Sequence, residues 1–167
     1  SDDGASEPWT TSGDLLMGHK KYLSTNVLEE SRKRIASTFD EVDRAYIAFS
    51  GGKDSSVMFH LVMEEAVKRG VRVGVMYIDM EAQYADTIKH TLEMFEIYKD
   101  NIDPHWICVP MRLRNALTNY EPQWIAWDPS REDDWIRKKP SFAKGVSDYP
   151  FIMDEMADGI EFEEFIV

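Results

Sequence analysis

The fold is decided by the stretch Ser50-Gly51-Gly52-Lys53-Asp54-Ser55-Ser56, where a short apolar run gives way to a helical pattern. The preceding residues 45–49 read Ala-Tyr-Ile-Ala-Phe, which has the length and composition of a buried strand. After the stretch, apolar side chains recur at helical spacing between Val57 and Ala66. Because the paired glycines permit a tight turn and a close approach to a ligand, the stretch predicts the order strand, glycine turn, helix.

This turn has the chemistry of a phosphate-binding loop. The first amides of a helix have no partner inside it, and with those of a glycine turn they form a partly positive cup. Lys53 can stabilise an oxygen that gains charge as a phosphoryl bond breaks, and Ser50, Ser55 and Ser56 can donate hydrogen bonds. Because a carboxylate beside a polyphosphate needs a cation between them, Asp54 predicts bound Mg²⁺, held directly or through water.

Two common nucleotide-binding signatures do not occur in the sequence. The Walker loop needs a glycine five residues before its Gly-Lys pair and a Ser or Thr directly after it, but these positions are Ile47 and Asp54. None of the nine glycines falls in a GxGxxG spacing, which is the usual motif of dinucleotide-binding enzymes. The sequence therefore gives no support for hydride transfer with a dinucleotide cofactor.

Composition limits the class of protein. A chain of 167 residues, 43% of them hydrophobic, predicts one domain with a buried core. The net charge of −12 disfavours non-specific binding to nucleic acid or to an acidic membrane surface. The single cysteine, Cys108, and four scattered histidines predict no zinc site and no iron–sulfur cluster. The sequence shows no apolar run long enough to span a membrane and no signal-peptide pattern. We therefore expect the protein to be located in the reducing cytoplasm.

The chain organisation predicts a flexible tail at 1–13 and a single nucleotide-binding α/β domain at 14–167. Residues 160–167 form an unfinished amphipathic stretch, so we expect the chain to be truncated at its C-terminus. Helices are predicted over 26–41 and 83–99, and further strands over 71–79 and 105–110. The predicted apolar faces are Val27, Leu28, Ile35 and Phe39 in the first helix, and Tyr84, Ile88, Leu92, Phe95 and Tyr98 in the second.

Strands that alternate with helices predict a doubly wound parallel sheet with right-handed crossovers. Ligands bind such sheets beyond the carboxyl ends of the strands, so residues 50–56, 79–81 and 111–114 should converge there. Asp79 and Glu81 are candidate metal or ribose ligands, although Asp79 could instead cap the next helix. Arg112 and Arg114 could grip phosphate or sulfate, or could be surface arginines that open a helix.

A tryptophan-rich segment follows from Tyr120, with prolines and basic residues interleaved. Its lack of periodicity predicts a structured loop region, interpreted as a candidate lid over the cup. Four basic side chains could bind phosphate there or could simply balance neighbouring acids; they are Arg131, Arg137, Lys138 and Lys139. Cys108 stands in an apolar run and is predicted to be an unreactive core thiol.

The motif Ser-Gly-Gly-Lys-Asp-Ser at 50–55 resembles the pyrophosphate-binding loop (PP-loop) of the adenine nucleotide α-hydrolase superfamily. That group includes N-type ATP pyrophosphatases and phosphoadenosine phosphosulfate (PAPS) reductases, with a HUP or Rossmann-like α/β fold. The stretch 26–114, which contains Tyr77-Ile78-Asp79-Met80-Glu81-Ala82-Gln83-Tyr84, is most similar to PAPS reductase-like proteins called immunoglobulin-binding regulator A.

This resemblance implies an adenine nucleotide across the carboxyl edge of the sheet, with its phosphates in the loop 50–56. The base would lie against Ala48, Phe49, Tyr77 and Ile78, and Asp79 would belong to the same site. In members that cleave ATP, attack at the α-phosphorus releases pyrophosphate and leaves an adenylylated acceptor. Lys53 and Asp54 would be the catalytic residues, with Lys53 stabilising the leaving charge and Asp54 holding Mg²⁺.

The chain departs from PAPS reductases in one respect. Those enzymes use a nucleophilic cysteine in a C-terminal segment, and no cysteine follows Cys108 here. ATP α-cleavage is therefore the leading hypothesis. The alternatives are PAPS binding or reduction with a cysteine supplied elsewhere, and a non-catalytic nucleotide-binding module that acts with a ParB-like protein partner.

Overall fold

The computed structural model describes residues 24–115, 119–149 and 160–161. In chain order the helices and strands are α1 (Val27–Glu41), β1 (Tyr46–Ala48), α2 (Lys53–Arg69), β2 (Val73–Ile78), α3 (Ala85–Ile97), β3 (Ile102–Ile107), β4 (Met111–Arg114), β5 (Gln123–Ala126) and β6 (Ile160–Glu161). Short 3₁₀ helices span Pro129–Asp134 and Val146–Asp148. The predicted tail at 1–13 lies outside the described residues.

The first three strands form a parallel sheet in the order β1-β2-β3. Parallel neighbours require a crossover connection, and α2 and α3 supply the two that this sheet needs. The prediction of an α/β fold with a parallel sheet is confirmed. β3 begins three residues before the predicted start. It contains Pro104, which an edge strand tolerates, because among the described residues no strand pairs with the outer side of β3 at that position.

The core of the sheet lies between β2 and the helices. Its fully buried members include Phe59, Met63 and Ala66 of α2, Val73, Val75 and Tyr77 of β2, and Trp106 of β3. The predicted apolar faces are correct for Ile35, Phe39, Ile88 and Phe95, which are buried or pack against this core. Val27 and Tyr84 are 84% and 86% exposed, and Leu28 and Leu92 are exposed as well, so the faces are wrong at these positions. Tyr84 precedes α3 as its N-cap, where helical periodicity no longer applies.

A second sheet has the order β5-β4-β6, with β4 antiparallel to β5 and parallel to β6. The alternative that Arg112 and Arg114 open a helix is therefore wrong, since both lie in β4. Met111 is buried and Leu113 packs against the core, an alternation that suits a strand with one covered face. Within the described ranges, no helix combines the length and apolar character needed to cross a membrane.

Candidate functional site

The loop 50–56 joins β1 to α2 in the predicted order. The amide of Phe49 still donates to the carbonyl of Met76 at 2.8 Å, so the chain leaves the sheet only after Phe49. Gly51 has a φ of 73°, a left-handed conformation that favours glycine. Gly52 is the N-cap of α2 and has no side chain to cap the helix, so the amide end of α2 faces outward with Lys53 and Asp54 exposed in its first turn.

Hydroxyl groups fix the shape of this loop. The Oγ atoms of Ser50 and Ser55 lie 2.9 Å apart. Ser55 Oγ and Ser56 Oγ donate to the carbonyl of Gly52 at 2.9 and 2.8 Å, which closes the first turn of α2 on itself. These hydrogen bonds connect Ser50, Gly52, Ser55 and Ser56 to one another through the loop's own side chains.

Helix α3 forms a wall behind the loop. A Cβ atom added to Gly51 would lie 2.7 Å from Thr87 Cγ2 and 3.0 Å from Thr91 Oγ1, so only glycine fits there. His90 Nε2 lies 2.8 Å from Ser56 Oγ. Because the Ser56 hydroxyl hydrogen is donated to Gly52, His90 is the donor in this contact, through an Nε2–H group. Sequence reasoning missed Thr87, His90 and Thr91, although their three-to-four spacing on α3 was a usable signal.

Asp79 is fully buried at the end of β2, and protein donors surround its carboxylate. Oδ1 accepts from the amide of Glu81 at 2.9 Å and forms an ion pair with Arg137. Oδ2 accepts from Trp106 Nε1 at 2.7 Å and from Cys108 Sγ at 3.6 Å. Since Tyr84 caps α3, the alternative that Asp79 caps that helix is wrong.

Glu81 is also buried and holds the tryptophan-rich segment. Its carboxylate accepts from the amide of Trp127 at 2.6 Å and from the amide of Ile136 at 3.0 Å. Among the described non-glycine residues, Glu81 and Trp127 have positive φ, 64° and 53°. Such conformations cost about 1–3 kcal/mol each, and here the two strained residues are hydrogen-bond partners. The tryptophan-rich segment is therefore attached to the carboxyl end of β2 through two buried carboxylates.

The other predicted site residues lie in different environments. Ala48 is exposed in β1 and pairs with Met76, next to Tyr77 and Ile78 in β2. Tyr77 is fully buried with its ring centroid 4.4 Å from that of Trp106. Burial raises the pKa of Tyr77 to about 12, and the nearby Asp79 carboxylate adds to that rise. Arg112 and Arg114 belong to the second sheet, not to the strand ends of the first.

Cys108 follows β3 and is fully buried, as predicted. Burial is the main cause that raises the pKa of its thiol, and the Asp79 carboxylate raises it further. The neutral thiol is therefore the stable form, which is the opposite of what a nucleophilic cysteine requires.

Two comparisons with known proteins bear on this arrangement. Residues 44–126 match the family model of the phosphoadenosine phosphosulfate reductase domain. The chain is also 37% identical over 149 residues to YbdN of Escherichia coli (strain K12), whose name describes it as uncharacterised. That match covers 89% of this chain but 36% of YbdN, so the chain spans about a third of this relative's length. Residues 44–126 of this α/β chain thus match the PAPS reductase domain, which supports a place among the PAPS reductase-like proteins of the adenine nucleotide α-hydrolase superfamily.

Proposed function

We propose that this domain binds ATP, or a related adenine nucleotide, at the loop 50–56 and transfers its adenylyl group to an acceptor. The observation that supports this most directly is the self-bonded serine loop at the amide end of α2, with Lys53 and Asp54 exposed beside it. In this reaction an acceptor atom attacks the α-phosphorus, and the bond to the bridging oxygen breaks. Pyrophosphate leaves with the electron pair, and the acceptor's proton passes to solvent.

The chain's own residues would bind and orient the phosphates. The α2 amides and the Lys53 ammonium would face the β- and γ-phosphates, where negative charge develops as pyrophosphate leaves. His90 would keep the Ser56 hydroxyl directed at Gly52, so the loop need not rearrange when a nucleotide binds.

Asp54 suits a Mg²⁺ site in which the phosphate oxygens of the bound nucleotide supply further ligands. Within the described residues no three His, Cys, Asp or Glu side chains are grouped as a metal cage. Mg²⁺ in nucleotide enzymes is commonly held by one or two carboxylates together with phosphate oxygens and water, which an exposed Asp54 allows. Bound there, Mg²⁺ would neutralise phosphate charge.

We expect this activity in the cytoplasm, where a single cysteine stays reduced.

Equilibrium binding of ATP and of PAPS, each with and without Mg²⁺, tests the proposal. ATP should bind in a Mg²⁺-dependent manner, and Lys53→Ala should weaken it by about ten- to a hundredfold. Asp54→Asn should remove the dependence on Mg²⁺, and Lys68→Ala, at the other end of the same helix, should change nothing. Lys53→Ala and Asp54→Asn should also abolish pyrophosphate release when an acceptor is present, whereas Lys68→Ala should not. Unchanged ATP binding in Lys53→Ala would show that the site is assigned wrongly.

Sulfonucleotide binding is the second candidate, because the matched family model is the PAPS reductase domain. A reductase activity would need a thiol other than the buried Cys108, supplied by a protein region or a partner outside this chain. Preference for PAPS without any effect of Mg²⁺ would favour this candidate. The likeness to immunoglobulin-binding regulator A favours a third candidate function, a regulatory module whose nucleotide-bound state is recognised by a ParB-like partner. Tight nucleotide binding without pyrophosphate release, measured in the presence of that partner, would support this candidate.

A further inference from the structure

An open cavity of about 790 Å³ lies on the tryptophan-rich segment and is separate in its lining from the loop 50–56. Among the described residues, those that line it are Glu132, Asp133, Trp135, Arg137, Lys138 and Lys139. Three consecutive cationic side chains therefore face one cavity in a chain whose acidic residues outnumber its basic ones by 31 to 19. In so acidic a protein, cations without an acidic partner call for an explanation.

Two of these cations have no carboxylate partner. Lys138 is exposed and makes no hydrogen bond or ion pair with another described residue. The ammonium group of Lys139 lies 4.3 Å from the ring centroid of Trp135 and 5.3 Å from that of Trp127. These indole faces fix the Lys139 ammonium in position and leave its charge uncompensated by any described carboxylate.

Arg137 lines one side of the cavity, and its guanidinium is held in place by two contacts. Its guanidinium is paired with the buried carboxylate of Asp79 and lies 5.0 Å from the ring centroid of Trp127. The Nε atom of Arg137 is buried and has no acceptor among the described residues. The two contacts hold the guanidinium in place, and the Arg137 side chain lines the cavity with 22% of its surface exposed.

We propose that this cavity binds a small-molecule oxyanion, a phosphate or sulfate group, through Lys138, Lys139 and Arg137. Tetrahedral oxyanions accept several charge-assisted hydrogen bonds at once, which matches adjacent cations held at fixed positions. The exposed acids Glu132 and Asp133 line the same cavity and oppose any anion, but an extended polyanion such as nucleic acid would meet this repulsion with many charges, so the ligand class is a small molecule. This binding is independent of the nucleotide proposed at 50–56.

The test follows the indole N–H signals of Trp127 and Trp135 in ¹H–¹⁵N correlation spectra during titration. Inorganic phosphate and inorganic sulfate are titrated separately, with sodium chloride at matched ionic strength as the reference. The full chain carries Lys53→Ala, so that anion binding at the loop 50–56 is weakened. Both indoles should shift in a saturable way, and the anion with the lower Kd identifies whether the natural ligand carries phosphate or sulfate.

Adding Lys138→Ala should raise the Kd about tenfold, because one charge-assisted contact is removed. Lys138 makes no hydrogen bond or ion pair with a described residue, so this variant should fold normally. Adding Lys99→Ala instead, which removes the same charge from an exposed residue paired with Glu96, should leave the Kd unchanged. No saturable shift, or an equal Kd with and without Lys138, would overturn the proposal. A failure of ATP to bind at the loop would leave this result unaffected.

Discussion

The guanidinium of Arg137 is paired with the fully buried carboxylate of Asp79, which stands 58 residues earlier in the chain. This pair connects the end of β2 to the tryptophan-rich segment. Removing one partner of a buried ion pair leaves an uncompensated charge, which costs about 3–5 kcal/mol. We therefore predict that Arg137→Met lowers the free energy of unfolding by that amount, measured by urea denaturation.

A matched control exists in the same segment. Arg131 pairs with Asp134 at 3.1 Å, but both side chains are exposed, and such pairs contribute about 0–1 kcal/mol. Arg131→Met should therefore change stability little. The double variant Asp79→Asn, Arg137→Met should recover part of the loss, because the buried charge itself is removed. Equal losses for Arg131→Met and Arg137→Met would contradict a special role for the buried pair.

The second prediction compares two glycines that both have positive φ, Gly51 at 73° and Gly70 at 66°. Nothing lies within 4 Å of a Cβ added to Gly70, so Gly70→Ala should cost only the conformational strain, about 1–2 kcal/mol. Gly51→Ala adds a clash with Thr87 and should both destabilise the protein further and weaken nucleotide binding. Thermal unfolding and ATP binding measure the two effects.

Thr87→Ser provides the control for this clash, because it removes the Cγ2 atom that the new Cβ would meet at 2.7 Å. Combined with Gly51→Ala it should restore part of the lost stability, while Thr87→Ser alone should have a small effect. If Gly51→Ala and Gly70→Ala behave alike, α3 does not constrain the loop as described.

The third prediction concerns alkaline pH. Burial raises the pKa of Tyr77 to about 12, above its ordinary value of 10. Above pH 10 the unfolded chain loses this proton while the folded protein keeps it, so stability that is present below pH 10 is lost as the pH rises towards 12. From about pH 9 to about pH 11 this loss is on the order of 1 kcal/mol.

Tyr77→Phe removes this contribution. Its unfolding free energy should fall less steeply with pH than that of the unsubstituted protein over the same range. The Tyr77 hydroxyl is buried, and its interaction with the Thr91 side chain lowers the pKa but does not meet hydrogen-bond geometry. Its removal therefore costs little, and the variant should be about as stable at neutral pH. Parallel pH curves for the two proteins would show that Tyr77 ionises normally.

Local sequence patterns were sufficient for the part of the fold that carries the loop. The apolar run at 45–49, the glycines and the helical spacing after them all act within a few residues, so β1, the turn and α2 lie where the sequence places them. The parallel arrangement also followed, because the helical patterns between the predicted strands supply the crossover connections that parallel neighbours require.

The hydrogen-bond and ion-pair partners of Asp79 and Glu81 could not be predicted from local sequence patterns. Asp79 meets Arg137, and Glu81 meets Trp127 and Ile136, across 46 to 58 residues of sequence. No periodicity relates such positions, since the contacts arise from how the tryptophan-rich segment folds back on the sheet. The strand at β4 was missed for a similar reason, because one of its two partners, β6, is distant in the chain and pairs Met111 with Ile160.

The last prediction concerns the reactivity of Cys108. Measuring it distinguishes a thiol-dependent reaction that uses this cysteine from one that needs a thiol outside this chain. Because burial raises the pKa of this thiol and the side chain is fully buried, thiolate should be scarce and inaccessible in the folded protein. Its reaction with an aromatic disulfide reagent at pH 8 should be at least about a hundredfold slower than in the urea-unfolded chain, since opening must precede attack. Addition of ATP or PAPS should not accelerate the reaction. Rapid labelling of the folded protein would return Cys108 to consideration as a nucleophile and raise sulfonucleotide reduction above ATP cleavage.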